Sequence, residues 1–107
     1  MIRRSSTVVL VAALTLAGAA VAATPSSPRV SIRAFKFVPA QLTVPVGATV
    51  TWTNGDEEAH TVTATDRAYT SSGLDRKETY SHRFTAPGTY AYFCALHPHM
   101  TATVVVK

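Results

Sequence analysis

The sequence predicts an all-β fold, a small sandwich or barrel. Three observations carry that expectation. Apolar and polar residues alternate in short runs, no segment repeats its apolar residues with a helical period, and turn-forming residues recur about every 8–12 positions.

The elements follow in chain order. Val30-Ser31-Ile32 opens with alternation, and Phe35 and Phe37 continue the apolar set out of phase, which predicts a bulge or bend near Arg33-Ala34. Leu42, Val44 and Val46 alternate up to Gly47. Across 48–54, Val50 and Trp52 take one face and Thr49, Thr51 and Thr53 the other; Asn54-Gly55-Asp56 then signals a turn. Across 59–65, His60, Val62 and Ala64 share a face opposite Thr61, Thr63 and Thr65, so His60 is expected to point inward at the start of a strand. Ser71-Ser72-Gly73 argues against regular structure in 66–77. Residues 79–85 read as another strand, and Pro87-Gly88 fits a type II turn. Tyr90, Tyr92 and Cys94 share one face of 89–94, and Ala102, Val104 and Val106 share one face of 101–107.

The first 23 residues read as a secretory signal peptide and not as fold. Arg3 and Arg4 precede an uncharged run over 7–20, and Ala20-Val21-Ala22 supplies small residues for cleavage near 22–24. That run is short of the ~20 residues that span a bilayer, so a membrane is expected as a partner only if the leader is retained. Residues 24–29, with Pro25 and Pro28, read as a flexible segment, and 30–107 as one small domain. Of the net charge of +4, two charges are Arg3 and Arg4, and no Lys/Arg stripe remains to hold nucleic acid. Cys94 is the one cysteine. A free thiol in an oxidising compartment is a liability unless something occupies it, and a bound metal would.

The run Cys94-Ala95-Leu96-His97-Pro98-His99-Met100, with His60 far upstream, offers one thiolate, two imidazoles and one thioether. That is the ligand set of a mononuclear blue-copper centre. Each residue alone is ordinarily structural; their joint spacing in an exported chain points to one site. His82 is expected on a solvated strand face and His99 at the surface. Asp56-Glu57-Glu58 reads as a solvated turn near the metal end, an acidic patch able to steer a basic partner. Trp52, Tyr90, Tyr92 and Phe93 are expected to pack as core near the site.

The stretches Phe35-Lys36-Phe37-Val38-Pro39, Val50-Thr51-Trp52-Thr53-Asn54, Ala59-His60-Thr61 and Gly88-Thr89-Tyr90-Ala91-Tyr92-Phe93-Cys94, with Pro98 after the second histidine, resemble the cupredoxin family. The likeness is to its amicyanin, pseudoazurin and plastocyanin-like group. The resemblance implies a Greek-key sandwich of about seven or eight strands. It implies one type 1 copper per chain, with His60, Cys94 and His97 as equatorial ligands and Met100 as the axial one. It further implies a monomer that shuttles single electrons by Cu(I)/Cu(II) cycling between periplasmic redox proteins: a cytochrome, a dehydrogenase, or a copper reductase or oxidase. Thr61 departs from the Asn common after the first histidine, where it helps tie two ligand loops together; a threonine hydroxyl is expected to do part of this. His99 departs from a commonly apolar position.

An enzyme is not expected. Multicopper oxidases and copper nitrite reductases couple their blue site to a second site through a His next to the Cys, and Ala95 stands there. A dinuclear copper centre needs two cysteines. Zinc is disfavoured because a thioether is a poor zinc ligand. The alternative left open is a copper-binding module for homeostasis, storage or delivery.

Overall fold

Among the described residues, alternating apolar residues give eight strands: β1 (Arg29–Arg33), β2 (Lys36–Val38), β3 (Gln41–Val44), β4 (Thr49–Asn54), β5 (Thr63–Ala64), β6 (Thr79–Arg83), β7 (Gly88–Phe93) and β8 (Thr101–Val106). The computed structural model describes residue 2, residues 7–13 and residues 27–107. The expected cleavage region, Arg3 and Arg4, and residues 24–26 of the 24–29 segment lie outside the described residues. Among the described residues no helix is long and apolar enough to cross a membrane.

The strands form two four-stranded sheets in the orders β2-β1-β4-β6 and β3-β8-β7-β5. β1 runs parallel to β4 and β3 parallel to β8, so the chain crosses between sheets instead of meandering within one. The expected sandwich is the one observed. Its core is the set of residues whose period-two phase points inward: Val30, Ile32, Val50, Trp52, Tyr92, Val104 and Val106 are all at most 2% exposed. Trp52 lies at the centre, edge-on to Tyr92 with ring centroids 5.4 Å apart and tilted against Tyr80 at 5.9 Å. A buried aromatic of this size removes on the order of 200 Å² from water, worth about 5 kcal/mol as an upper figure.

Four details differ from expectation. The bend near Arg33-Ala34 is a full reversal: Ala34 and Phe35 take left-handed φ of 50° and 58°, and β2 returns antiparallel to β1. Two left-handed residues match the twist of a tight hairpin, and the reversal explains why Phe37 is buried while Phe35 is exposed. Val46 does not continue the alternation of β3; Pro45 ends the strand and Val46 lies at the surface. Gly88 is not the corner of a type II turn. Its φ of 157° is nearly extended, and it already pairs with Val106 as the first residue of β7. His82 is not a solvated strand residue: it stacks on Tyr69 at 4.0 Å and meets the edge of Phe84 at 4.8 Å, and burial lowers its pKa.

The strand expected over 59–65 is regular only at β5, and both its faces are covered. Thr61 and Thr63, expected to face solvent, are 7% and 3% exposed. The cause is the irregular 66–77 segment, which pairs with 59–65 through Thr63–Thr70 and His60–Leu74 bridges. The threonine hydroxyls are satisfied there by one another, Thr61 to Thr63 at 2.9 Å and Thr63 to Thr70 at 2.8 Å. Buried hydroxyls are tolerated where such partners exist.

Burial raises the pKa of the Tyr92 hydroxyl to about 12, with the Trp52 indole opposing it, and it also raises Tyr69. Both stay neutral in the folded chain where an unfolded tyrosine, with a pKa of ~10, ionises. A folded pKa raised above the unfolded one gives a contribution complete below that value and lost as pH rises through it. The denaturation midpoint should therefore hold to about pH 9 and fall across about pH 10–12, with phenolate absorbance lagging that of free tyrosine. Complete phenolate formation by pH ~10 in the folded protein would contradict this burial.

Candidate metal centre

Two turns in a row build the ligand loop. His97 N–H donates to Cys94 O at 3.2 Å, and Met100 N–H donates to His97 O at 2.9 Å. Each turn advances three residues, so Cys94, His97 and Met100 return to one side of the loop while Ala95, Leu96, Pro98 and His99 face out. Pro98 takes the second position of the second turn, where its fixed φ is favoured. Cys94 N–H donates back to Met100 O at 3.1 Å and closes the loop at the mouth of β7 and β8.

His60 arrives beside this loop because β5 pairs with β7, Thr63 opposite Phe93. Thr61 ties the two segments together twice. Its backbone N–H donates to Cys94 Sγ at 3.3 Å, and its hydroxyl accepts from Ala95 N–H at 2.7 Å. The threonine expected to join the loops in part does so directly.

His60 and Cys94 are both 0% exposed, Met100 is 3% exposed and His97 is half-buried. The Nδ1 atoms of His60 and His97 lie 3.7 Å and 3.6 Å from Cys94 Sγ. The His60, Cys94 and His97 donor atoms all lie within 4.8 Å of one another. An ion bonded at ~2.0–2.1 Å to nitrogen and ~2.3 Å to sulfur, with trigonal to tetrahedral angles, holds N and S about 3.6–3.8 Å apart. The two imidazole-to-sulfur separations thus fit a single ion, and the Thr61 N–H holds the Cys94 sulfur in place.

Two contributors escaped the sequence reading. Phe35, 42% exposed at the β1–β2 turn, sets its ring edge-on to His60 at 5.2 Å and to His97 at 5.1 Å. Its only sequence signal is the break of phase before Phe37. The other is Asp56, expected in a solvated acidic patch. Its carboxylate instead accepts from His60 Nε2–H at 2.8 Å and from the Ala34 and Phe35 N–H groups at 2.7 Å and 3.0 Å. Burial works to raise its pKa, but these hydrogen bonds from Phe35, His60 and Ala34 outweigh it and hold the carboxyl below the usual range. The patch is dismantled further by Glu57, which pairs with Arg76.

The 54–60 loop is held to this shape by Asn54, a fully buried amide. Its Nδ2 donates to Glu58 O at 2.9 Å and Leu74 O at 2.7 Å, and its Oδ1 accepts from Asp56 N–H at 2.9 Å. Gly55 allows the loop to close on β1: its N–H donates to Ile32 O at 2.7 Å, and a Cβ would stand 3.1 Å from that oxygen. His82 is remote from the ligands, stacked on Tyr69. His99 is exposed, lining a surface cleft with Phe35 and Lys36.

Comparison with known proteins agrees with this geometry. The family profile of the cupredoxin-like domain matches residues 6–106. Amicyanin-alpha of Methylorubrum extorquens is 36% identical over 86 residues, 76% of this chain and 72% of that protein. Amicyanin of Paracoccus denitrificans is 36% identical over 83 residues, 73% of this chain and 63% of that protein. Among solved structures, a purple cupredoxin from Nitrosopumilus maritimus superposes with a TM-score of 0.72 at 30% identity, covering 75% of this chain and 99% of that one. A reduced Cu(I) form of an amicyanin variant superposes at 0.71 with 34% identity, covering 77% and 83%.

Replacing Thr61 with Val keeps the side-chain shape but leaves Ala95 N–H without its acceptor. Thr61→Val should cost about 1–3 kcal/mol by thermal or chemical denaturation. It should also broaden the signals of the 94–100 loop in an NMR spectrum. An unchanged stability and a sharp loop would show that the two segments are held together by other contacts.

Proposed function

The chain belongs to the cupredoxin family, and from that premise we propose that it is a blue-copper electron carrier with one type 1 copper per chain. His60 Nδ1, Cys94 Sγ and His97 Nδ1 would hold the ion, and Met100 would add a thioether. The observation that carries this reading is the placement of Cys94 Sγ 3.7 Å and 3.6 Å from the two imidazole nitrogens. Copper bound in such a set passes between Cu(I) and Cu(II), giving up and accepting one electron.

The chain's own part is to keep these donors still and dry. Two donors are inaccessible to water, and both ligand segments are cross-tied by Thr61, so little of the surroundings is free to rearrange. The same frame argues against storage or delivery as the main role, because release of an ion would require opening the Cys94 loop. Zinc is a poor match to a site completed by a thioether.

His97 is the ligand nearest solvent and the outlet through which an electron reaches a partner. Phe35 and Leu96, 42% and 55% exposed, flank it with apolar surface. A small apolar surface of this kind suits the brief encounters of redox proteins. The partners are single-electron proteins of an exported compartment, the periplasm in a bacterium: a cytochrome, a dehydrogenase, or a copper reductase or oxidase. Export is supported by the leader pattern of residues 1–23 and by an unpaired cysteine that a metal would protect. The chain acts as a monomer and carries out no reaction besides electron transfer.

Adding Cu(II) to the purified domain should give one equivalent of bound metal and an intense visible thiolate-to-copper band. Cys94→Ser should abolish the band. A colourless Cu(II) protein, or a band that survives the substitution, would sink the assignment.

Met100→Gln should retain copper and lower the reduction potential, because a thioether is a weak axial contact whose exchange alters the electronics more than occupancy. Voltammetry with metal analysis separates the two effects. Loss of the metal at neutral pH would make Met100 a principal ligand.

A further inference from the structure

The Asp56 carboxylate is 14% exposed and, among the described residues, accepts three hydrogen bonds, from two backbone amides and one imidazole. Its Oδ1 takes the Ala34 N–H, and its Oδ2 takes both the Phe35 N–H and the His60 Nε2–H. An ionised carboxylate only accepts, so the His60 Nε2 carries the proton, and Nδ1 is the ring nitrogen that faces Cys94 Sγ, 3.7 Å away. The two backbone donors belong to the left-handed residues that reverse β1 into β2, Ala34 and Phe35. The same turn carries the phenyl ring that lies edge-on to both imidazoles. Asn54 and Gly55 fix Asp56 from behind.

We infer that Asp56 is a positioning residue that joins His60 and the β1–β2 turn into one unit and tunes the metal through the imidazole. This inference rests on the copper reading of the site. Two consequences follow from the geometry. A fixed negative charge one ring away from the metal makes His60 a stronger donor and favours the more highly charged ion, Cu(II), over Cu(I). The carboxylate also sets the backbone of Phe35, and with it the apolar cover over His60 and His97, so the surface met by a partner and the electronic character of the site depend on one side chain. A hydrogen bond from His60 to a backbone carbonyl would orient the ring equally well; it would not supply the charge.

The test compares Asp56→Asn, Asp56→Glu and Glu57→Gln with the unmodified protein. Asp56→Asn keeps the shape and an acceptor for His60 but removes the charge and one acceptor of the turn. It should lower Cu(II) affinity about tenfold relative to Cu(I), a rise in potential of about 59 mV for one electron. Asp56→Glu restores the charge and should recover most of that shift. Glu57→Gln removes a neighbouring surface charge and should leave the potential within a small fraction of it, which separates a contact through His60 from a general field. Nitrogen NMR of the metal-free protein should show His60 protonated at Nε2, and the Ala34 and Phe35 amides should move in Asp56→Asn.

An unmodified protein that binds no copper would overturn the copper reading alone, since the metal-free NMR still reports on the Asp56 contacts. An Asp56→Asn potential equal to that of the unmodified protein, or one matched by Glu57→Gln, would overturn the tuning by Asp56. If Asp56→Asn fails to fold, nitrogen NMR of the unmodified metal-free protein carries the decision: a His60 ring whose Nε2 bears no proton would show that it does not donate to Asp56 and would overturn the tuning.

Discussion

The donors of His60, Cys94 and His97 stand at the separations one ion requires, and the rest of the molecule is arranged around keeping them there. Left to themselves, two imidazoles and a thiol on separate segments would spread apart and hydrate. Here two of the three are closed off from water and cross-linked by backbone and side-chain hydrogen bonds. Much of the entropy of ordering them is met by folding. A site made in advance changes little between oxidation states, and that is the property an electron carrier needs.

The sandwich supplies the stiffness. Trp52, Tyr92 and Phe84 fill the space between sheets and fix β4 against β7. β7 ends at Phe93, the residue before Cys94, and β4 ends in Asn54, so the packed core delivers both halves of the site to the same end of the fold. Beyond the strands the work passes to polar groups. Asn54 secures the loop leading to His60, and Thr61 secures that loop to the one carrying His97 and Met100. Each of these buried polar atoms is costly unless paired, so the network is held to one geometry.

Acidic residues near the site have unlike fates for simple reasons. Asp56 is short and sits within reach of two backbone N–H groups and an imidazole, so it turns inward. Glu57 and Glu58 point outward, and Glu57 meets Arg76. A run that in the sequence resembles one surface patch is divided by a single turn into an interior charge and solvated ones.

The all-β architecture, most inward-facing positions and the meeting of His60 with Cys94 and His97 were legible in the sequence. Alternation of Val50 with Trp52, or Val104 with Val106, allows only one face to be buried, and the spacing of Cys94, His97 and Met100 is itself a turn geometry. Tertiary structure alone decided the rest. The burial of Thr61 and Thr63 depends on the 66–77 segment laid against them, which has no periodic signal of its own. The reversal at Ala34 and Phe35 is invisible because neither residue type favours left-handed φ; the Asp56 carboxylate, distant in sequence, binds the amides of that turn. Local pattern records which face of a strand avoids water. It does not record which distant side chain meets a given amide, and in this protein that meeting sets the surroundings of the metal ligands.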